Sequence, residues 1–210
     1  MANLSVPMTD VEITISCKNL KDRDVLSKSD PMAVVSMWDA AAQRYREIGR
    51  TEWLSNTLNP EFAKKIQVGY FFEEAQNLRF ELYDLDSASS QLSAHDFLGR
   101  ADLTLGEIVG APGGTVHRQL TGLRGKCGSI VLTAEEIGSS KEVLQVQFKA
   151  TKLDNKDLFG KSDPFLMVYR LNDDNSRTLA FRSEVIKNNL NPMWKPTQIG
   201  ARQLCAGNYD

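Results

Sequence analysis

The sequence has few cysteines and no long apolar run, and both shortages narrow the classes of protein to consider. The three cysteines, Cys17, Cys127 and Cys205, are far apart and lack the spacing of metal ligands, so we predict reduced thiols instead of a disulfide framework or a zinc site. No stretch of 18 apolar residues occurs, and no membrane-spanning helix is predicted. The N-terminus has no basic segment followed by an apolar core, so a secretory signal is not expected and a cytoplasmic location is.

Neither sign of charge dominates, and histidine is scarce. With 25 basic and 27 acidic residues the net charge is -2, which gives no basic face for nucleic acid. The two histidines, His95 and His117, belong to no HExxH motif, and there is no GxSxG motif. GLRGKC at 122–127 departs from a phosphate-binding loop because position 120 is Leu and position 127 is Cys. Paired acids also serve hydrolases, but with these motifs missing we predict no enzyme.

What the sequence does contain is a series of short segments in which apolar and polar residues alternate. Residues 11–17 form the first, and residues 78–82 repeat the pattern. This period of two indicates half-buried strands, about eight of them before residue 136. The predicted strands include residues 45–53 and 62–68, and after residue 136 residues 142–150, 165–169 and 178–187. Because Asp, Asn, Ser, Gly and Pro clusters separate them, the pattern favours an all-β fold, an antiparallel eight-stranded β-sandwich. One helical turn is expected near residues 106–109.

A ten-residue phrase occurs twice. Residues 22–31 read DRDVLSKSDP and residues 155–164 read NKDLFGKSDP, 133 positions later. NTLNPEF at 56–62 is echoed by NNLNPMW at 188–194, and a repeat this long indicates duplicated domains instead of a solenoid. We predict a first domain at 1–137, a linker at 138–141 and a second domain at 142–210. The counterpart of YDLD at 83–86 would fall near position 216, so the second domain is expected to be truncated, with about four strands.

Acidic residues gather at three turns of the first domain. The loop after the first strand carries Asp24 and Asp30, YDLD supplies Asp84 and Asp86 on one side of a strand, and Asp96 precedes the next strand. Unit charges about 4 Å apart repel by roughly 4 kcal/mol at an effective dielectric near 20, so a converging cluster takes up protons or a cation. A flexible cage of oxygen ligands favours calcium. Each aspartate alone is also a common turn former, an interpretation that the repeat makes less attractive.

Two apolar residues interrupt each acidic loop. They are Val25 and Leu26 in the first domain and Leu158 and Phe159 in the second. Packed inward they would extend the core. At the tip of a calcium cage they would instead enter a bilayer, where burying such a side chain contributes ~1.5–3 kcal/mol. Because calcium reverses the charge of the loop end, we predict peripheral binding to an anionic phospholipid membrane surface.

The spacing of these motifs resembles the C2 domain family. DxxxxxDP at 24–31, NP at 59–60, YDLD at 83–86 and HDFLG at 95–99 carry the resemblance. It implies that calcium is coordinated by five aspartates of the first domain: Asp24, Asp30, Asp84, Asp86 and Asp96. It also implies a permuted topology, in which the strand near 128–136 takes the place that another subclass gives to its first strand.

In the second domain only two aspartates match the C2 ligand pattern. These are Asp157 and Asp163, so metal ligation there involves at most part of the set, and a complete site is not implied.

More narrowly, the chain resembles the N-terminal part of a copine. The phrases that carry this likeness are KSDP, GRTE at 49–52, YFFEE at 70–74, NLRFELYD at 77–84, HDFLG at 95–99, TLGEIVG at 104–110, AEE at 134–136, KLDNKDLFGKSDPF at 152–165 and NNLNPMW at 188–194. Copines continue with the rest of a second C2 domain and an integrin-like A domain, neither of which lies within these 210 residues. The partner binding of the A domain is therefore not carried over. We predict a cytoplasmic protein that moves to the plasma membrane when calcium rises, with protein targets as further partners. The alternatives are a calcium-independent protein-interaction sandwich and a non-functional fragment.

Overall fold

The chain divides into two compact units in the computed structural model. The first unit is Met1–Ile137 and the second is Gly138–Asp210. Within them the structure describes residues 8–23, 27–138, 142–157 and 159–205.

Eight strands build the first unit, as the alternating segments predicted. They are β1 (Met8–Lys18), β2 (Pro31–Asp39), β3 (Arg44–Arg50), β4 (Ile66–Phe71), β5 (Asn77–Asp84), β6 (Asp96–Thr104), β7 (Thr115–Gln119) and β8 (Ser129–Glu136). One sheet has the order β4-β1-β8-β7 and the other β3-β2-β5-β6. All pairings are antiparallel, and β8 lies between β1 and β7, as the permuted arrangement requires. The all-β sandwich is confirmed.

The core of the first unit comes from the inward faces of these strands. Val11, Ile13 and Ile15 of β1 are buried, and the polar residues between them are less so. In the facing sheet Leu78, Phe80 and Leu82 of β5 are fully buried. Alternation therefore places one face of each strand in a shared core, as the period of two predicts.

A short helix follows β6. This helix, α1 (Leu105–Val109), begins at Thr104, whose Oγ1 accepts a hydrogen bond from Glu107 N at 3.1 Å, while Glu107 Oε2 accepts one from Thr104 N at 2.7 Å. This reciprocal capping box satisfies two backbone donors at the helix start. The hydrogen bond from Thr104 N, with further ones from Thr104 Oγ1 and Arg118, lowers the pKa of the Glu107 carboxyl. No helix in the described ranges is long and apolar enough to cross a bilayer.

The three cysteines are free thiols. Cys17 and Cys127 are buried and Cys205 is partly exposed. Burial raises the pKa of the Cys17 thiol, because an apolar environment disfavours the thiolate.

Four strands and a short helix build the second unit. They are β9 (Val143–Val146), β10 (Met167–Leu171), β11 (Arg177–Arg182), β12 (Thr197–Gly200) and α2 (Ala201–Cys205). β10 pairs with β11, and β12 pairs with β9, both antiparallel. Among the described residues of this unit, no strands correspond to β5–β8 of the first.

Three strand predictions in the second unit are wrong in extent. The segment predicted at 142–150 forms a strand only from Val143 to Val146. Phe148 lies beyond that strand and stacks on Phe181, with ring centroids 6.2 Å apart. The segment 165–169 begins its ladder at Met167 and continues to Leu171. The segment 178–187 ends at Arg182, where Ser183 turns to hydrogen-bond Leu166.

The strand β12 was not anticipated. Its pairing places Gln198, Ile199 and Gly200 opposite β9 in the register that Gln67, Val68 and Gly69 take opposite β1. The repeat therefore extends to Gly200, where β4 continues as a strand in the first unit and α2 begins in the second.

Candidate functional site

Three loops meet at one end of the first sandwich. Residues 19–30 join β1 to β2, residues 51–65 join β3 to β4, and residues 85–95 join β5 to β6. We call this the loop end. Its members are held together by hydrogen bonds such as Leu85 N to Asp30 O at 3.0 Å and Thr57 N to Ser29 O at 3.0 Å.

Asp30 and Asp84 are in direct contact at the loop end. Asp30 N donates to Asp84 Oδ1 at 2.6 Å, and Asp84 is almost completely buried. Pro31 opposite Asp84 begins the β2–β5 ladder, and residue 30 is kept extended by the proline that follows it. The acidic turns that contain Asp30 and Asp84 are therefore brought together, as the sequence predicted.

Asp96 stands opposite Asp84 because of a β-bulge. The β5–β6 ladder pairs Leu82 with Gly99 but Tyr83 with Phe97, and so Asp84 with Asp96. The backbone of Gly99 has φ +148°, and a Cβ there would lie 3.1 Å from Leu120 Cβ, so glycine is required at this step. Cross-strand partners share one face of a sheet, which puts Asp84 and Asp96 side by side.

Asp86 completes a chain of contacts through the loop 85–95. Asp86 Oδ2 accepts a hydrogen bond from Asp96 N at 2.9 Å. Asp86 N donates to His95 Nδ1 at 3.3 Å, so the ring carries its proton on Nε2, which donates to Ser89 O at 2.9 Å. Buried His95 thus fixes this loop, a structural role that sequence reasoning missed although HDFLG contains it.

Arg23 supplies a positive charge to the same end. Its Nε lies 3.1 Å from Asp96 Oδ2, with the two side chains 35% and 50% exposed. Such a half-exposed pair contributes little stability, but it offsets part of the local negative charge. No sequence pattern pointed to this contact, because its two residues are 73 positions apart.

Asn56 joins the first loop to the second by two hydrogen bonds, which we call the latch. Its Oδ1 accepts a hydrogen bond from Lys28 N at 2.9 Å, and its own N donates to Asp30 Oδ1 at 2.7 Å. Asn56 has φ +57°, a left-handed conformation that asparagine tolerates better than most residues. Asp30 therefore has a structural function in addition to any ligand function.

The four described aspartates of the predicted set are neighbours, and the carboxylate of each accepts a hydrogen bond from another group of the protein. Asp30, Asp84, Asp86 and Asp96 accept hydrogen bonds from Asn56 N, Asp30 N, Asp96 N and Arg23 Nε. Within the described ranges, no three acidic, histidine or cysteine side chains are arranged to hold a metal ion. Asp24, Val25 and Leu26 lie outside the described residues.

The second unit repeats this latch with fewer acids. Asn188 N donates to Asp163 Oδ1 at 2.6 Å, and Lys161 N donates to Asn188 Oδ1 at 2.6 Å. Asp157 is exposed, and Phe159 is 94% exposed, so Phe159 does not pack inward. Leu158 lies outside the described residues.

Of the basic residues near these loops, Lys65 forms an ion pair with Glu12. Its Nζ lies 3.4 Å from Glu12 Oε2 and its side chain is only 5% exposed. Lys64 is exposed. In the second unit, Arg177 and Arg182 lie over the rings of Tyr169 and Phe165 at 4.5 and 4.2 Å.

A model of the C2 domain matches two segments of the chain, residues 10–120 and 142–199. The chain belongs to the C2 domain family. The match falls in both units and covers most of the sequence.

Several solved C2 structures are similar to this chain. The C2A domain of a plant Extended Synaptotagmin 1 is 18% identical, with a TM-score of 0.47 over 64% of this chain and 98% of that one. A structure titled BON1-C2B is 24% identical, with a TM-score of 0.44 over 66% and 97%. The calcium-bound C2A and C2B domains of Extended-Synaptotagmin 2 are 16% identical, with a TM-score of 0.48 over 90% and 72%.

Proposed function

We propose that this protein is a calcium-responsive membrane-recruitment module whose first C2 unit binds anionic phospholipid surfaces. The observation that carries the proposal is the grouping of four aspartates at one end of the sandwich: Asp30 N bonds to Asp84, Asp96 N bonds to Asp86, and Asp84 pairs with Asp96 in the β5–β6 ladder. Membership of the C2 family supports membrane or lipid binding as the general class. Calcium dependence is proposed in addition, because of the aspartates at the loop end.

The donor set fits a hard cation. A carboxylate oxygen of Asp84 accepts a hydrogen bond from Asp30 N, and one of Asp86 accepts a hydrogen bond from Asp96 N. Aspartates from two strands and two loops are thus gathered at the loop end, and oxygen ligands of this kind suit calcium. The residues that would hold it are Asp24, Asp30, Asp84, Asp86 and Asp96. Bound calcium would supply positive charge and open coordination positions for lipid phosphate.

Charge reversal is the proposed switch. Without a cation the carboxylates repel anionic lipid and oppose the attraction from the exposed Lys28 and Lys64. With cations bound, the loop end and these lysines all attract the lipid. Positive charge near an anionic leaflet contributes roughly 1 kcal/mol per charge. We therefore also propose that the protein is cytoplasmic at rest, moves to the plasma membrane when calcium rises, and has no enzymatic activity of its own.

The copine likeness belongs to the same proposal. Its support is the set of phrases from KSDP to NNLNPMW in the sequence. Protein targets are proposed as further partners, without carrying over the partner binding of the copine A domain.

Sedimentation with phosphatidylserine vesicles tests the switch. We expect binding with calcium, none with chelator, and loss of the calcium-dependent part in Asp84→Asn, which keeps an acceptor for Asp30 N but removes the charge. Asp102→Asn is the matched control, since Asp102 pairs with Arg79 at 2.7 Å toward the other end of β6. Equal binding in calcium and chelator would contradict the proposal.

A calcium-independent interaction module is the second candidate. It is favoured by the ion pair of Arg23 with Asp96 and by the donors on the other three carboxylates, which offset the acidic charge without an ion. Calcium that leaves the melting temperature unchanged would favour this candidate, because a ligand at a hundred times its Kd adds about 2.7 kcal/mol to a native state that binds it.

A further inference from the structure

The loop between β3 and β4 carries a tryptophan that the mechanism above does not use. Trp53 is 50% exposed. A single exposed apolar residue is common on protein surfaces, so the position and the neighbours of Trp53 decide whether it has a partner.

The backbone holds Trp53 outward at the loop end. Thr51 N donates to Ala33 O at 2.9 Å, and Leu54 N donates to Pro31 O at 3.0 Å. Thr51 and Leu54 are both buried, which anchors the segment on either side of the indole. Trp53 thus stands beside the start of β2, next to the latch between Asp30 and Asn56.

The other large exposed apolar residues in the described part of the first unit lie at the opposite end. Among its described residues the large ones are Met8, Trp38, Trp53 and Phe72. Trp38 is near the far end of the nine-residue β2, roughly 25 Å from its start at about 3.3 Å per residue. Met8 pairs with Phe71 at the same far end, and Phe72 follows it.

The third loop offers no comparable side chain. Residues 87–94 read SASSQLSA, and Leu92 is only half-exposed. Within the described part of the loop end, Trp53 is the large apolar group that a surface approaching the aspartates would meet.

The neighbours of Trp53 suit an anionic surface. Lys64 is exposed, and its backbone N is bound by Glu52 Oε2 at 3.0 Å. Ala63 N donates to the other oxygen of Glu52 at 2.5 Å, so that carboxylate faces the protein backbone instead of the solvent beyond Trp53.

The repeat preserves the character of this position. GRTEWL at 49–54 corresponds to FRSEVI at 181–186, and Val185, the counterpart of Trp53, is 49% exposed. The anchoring bonds are repeated as well, because Ile186 N donates to Pro164 O at 3.0 Å and Ser183 N to Leu166 O at 2.9 Å.

We propose that Trp53 is a membrane anchor that enters the headgroup–acyl boundary of an anionic bilayer when the loop end docks. The inference rests on the proposed function and adds the second loop to it. An indole has an apolar body and a polar N–H, so it partitions to this boundary. Trp53 sets how firmly the docked unit stays, and the aspartates set whether it docks.

Two measurements on the full chain test this anchor, using vesicles of phosphatidylserine and bromine-labelled phosphatidylcholine. Calcium should quench tryptophan emission in the wild type and in Trp38→Phe, and much less in Trp53→Phe. Trp53→Ala should weaken vesicle affinity about five- to tenfold, as expected for losing the burial of half a large side chain. Phe72→Ala, which removes a more exposed ring at the far end, should change it less than about twofold.

The outcomes separate the anchor from the switch. Wild-type binding that needs calcium but leaves Trp53 unquenched, with Trp53→Ala and Phe72→Ala alike, overturns the anchor and keeps the proposed function. Absence of calcium-dependent binding in the wild type overturns both.

Discussion

The two units share a loop framework, down to individual hydrogen bonds, and differ in how much sheet supports it. Asn56 and Asn188 both have left-handed backbones and both latch an aspartate that precedes a proline. Yet Val11 of β1 is 1% exposed, whereas Leu144, at the matching position of β9, is 45% exposed. The core that covers β1 in the first unit has no counterpart among the described strands of the second.

The difference shows that loop geometry and core formation are separable in this fold. The latch needs only residues close to the two loops, because its bonds join backbone groups to Asn and Asp side chains. Burial of the strands needs partners from later in the sequence, since β1 pairs with β8 and β2 with β5. The acids Asp84, Asp86 and Asp96 also come from that later part, so framework and ligands have different origins.

Hydrogen exchange should separate the two units by the largest margin. We expect the amides of Ile13 and Val35 to exchange at least about a thousandfold more slowly than those of Val146 and Val168, because central strands open only with the whole domain. Mass spectrometry of the exchanging chain measures this. Equally slow exchange in both units would show that the second is as cooperative as the first.

A matched pair of core truncations gives the next largest effect. Val35 is fully buried and Val168, its counterpart in β10, is partly exposed. Val35→Ala should lower the free energy of unfolding by about 2 kcal/mol, and Val168→Ala should change it by less than about 0.5 kcal/mol. Denaturant titration followed by circular dichroism measures both, and similar losses in the two variants would contradict the comparison.

Replacing the latch asparagine, Asn56 in the first unit or Asn188 in the second, should have the same effect on the loop of each unit. Asn56→Ala removes the acceptor of Lys28 N, and Asn188→Ala removes that of Lys161 N. Each loses a bond that contributes about 1 kcal/mol, so each of these amides should exchange roughly five- to tenfold faster. Glycine at either position, which tolerates the left-handed backbone, isolates the bond from the strain. Acceleration in only one unit would refute a common framework.

Much of the fold was predictable because the alternation of β1 and β5 is strict. The strand ends were less so. The strand predicted at 45–53 ends at Arg50. Beyond Arg50 the chain turns into the loop, and Thr51 and Leu54 each donate only one backbone hydrogen bond to β2. The segment predicted from Phe62 begins only at Ile66, since Phe62 N bonds to Ile15 O outside the ladder. Single tertiary bonds of this kind leave no periodic trace.

The acids of the site could be predicted, and their partners could not. Asp30 belongs to the phrase that occurs twice in the chain, and Asp84 belongs to the YDLD motif, so residue type and spacing single them out. Arg23, Asn56 and His95 act through contacts that depend on how the loops fold back on one another. A lone Arg or Asn in a loop carries no pattern, and only coordinates reveal which carboxylate it holds.

The step in the β5–β6 ladder decides which residue of β6 faces Asp84. Without it, the register that pairs Leu82 with Gly99 would place Asp84 opposite the ring of Phe97 instead of Asp96. Substitutions along the neighbouring loop leave that correspondence intact, whereas a side chain at Gly99 opposes the step. Homologous sequences that keep the acids but lack this glycine would be expected to have lost the juxtaposition of carboxylates on which the proposed calcium capture depends.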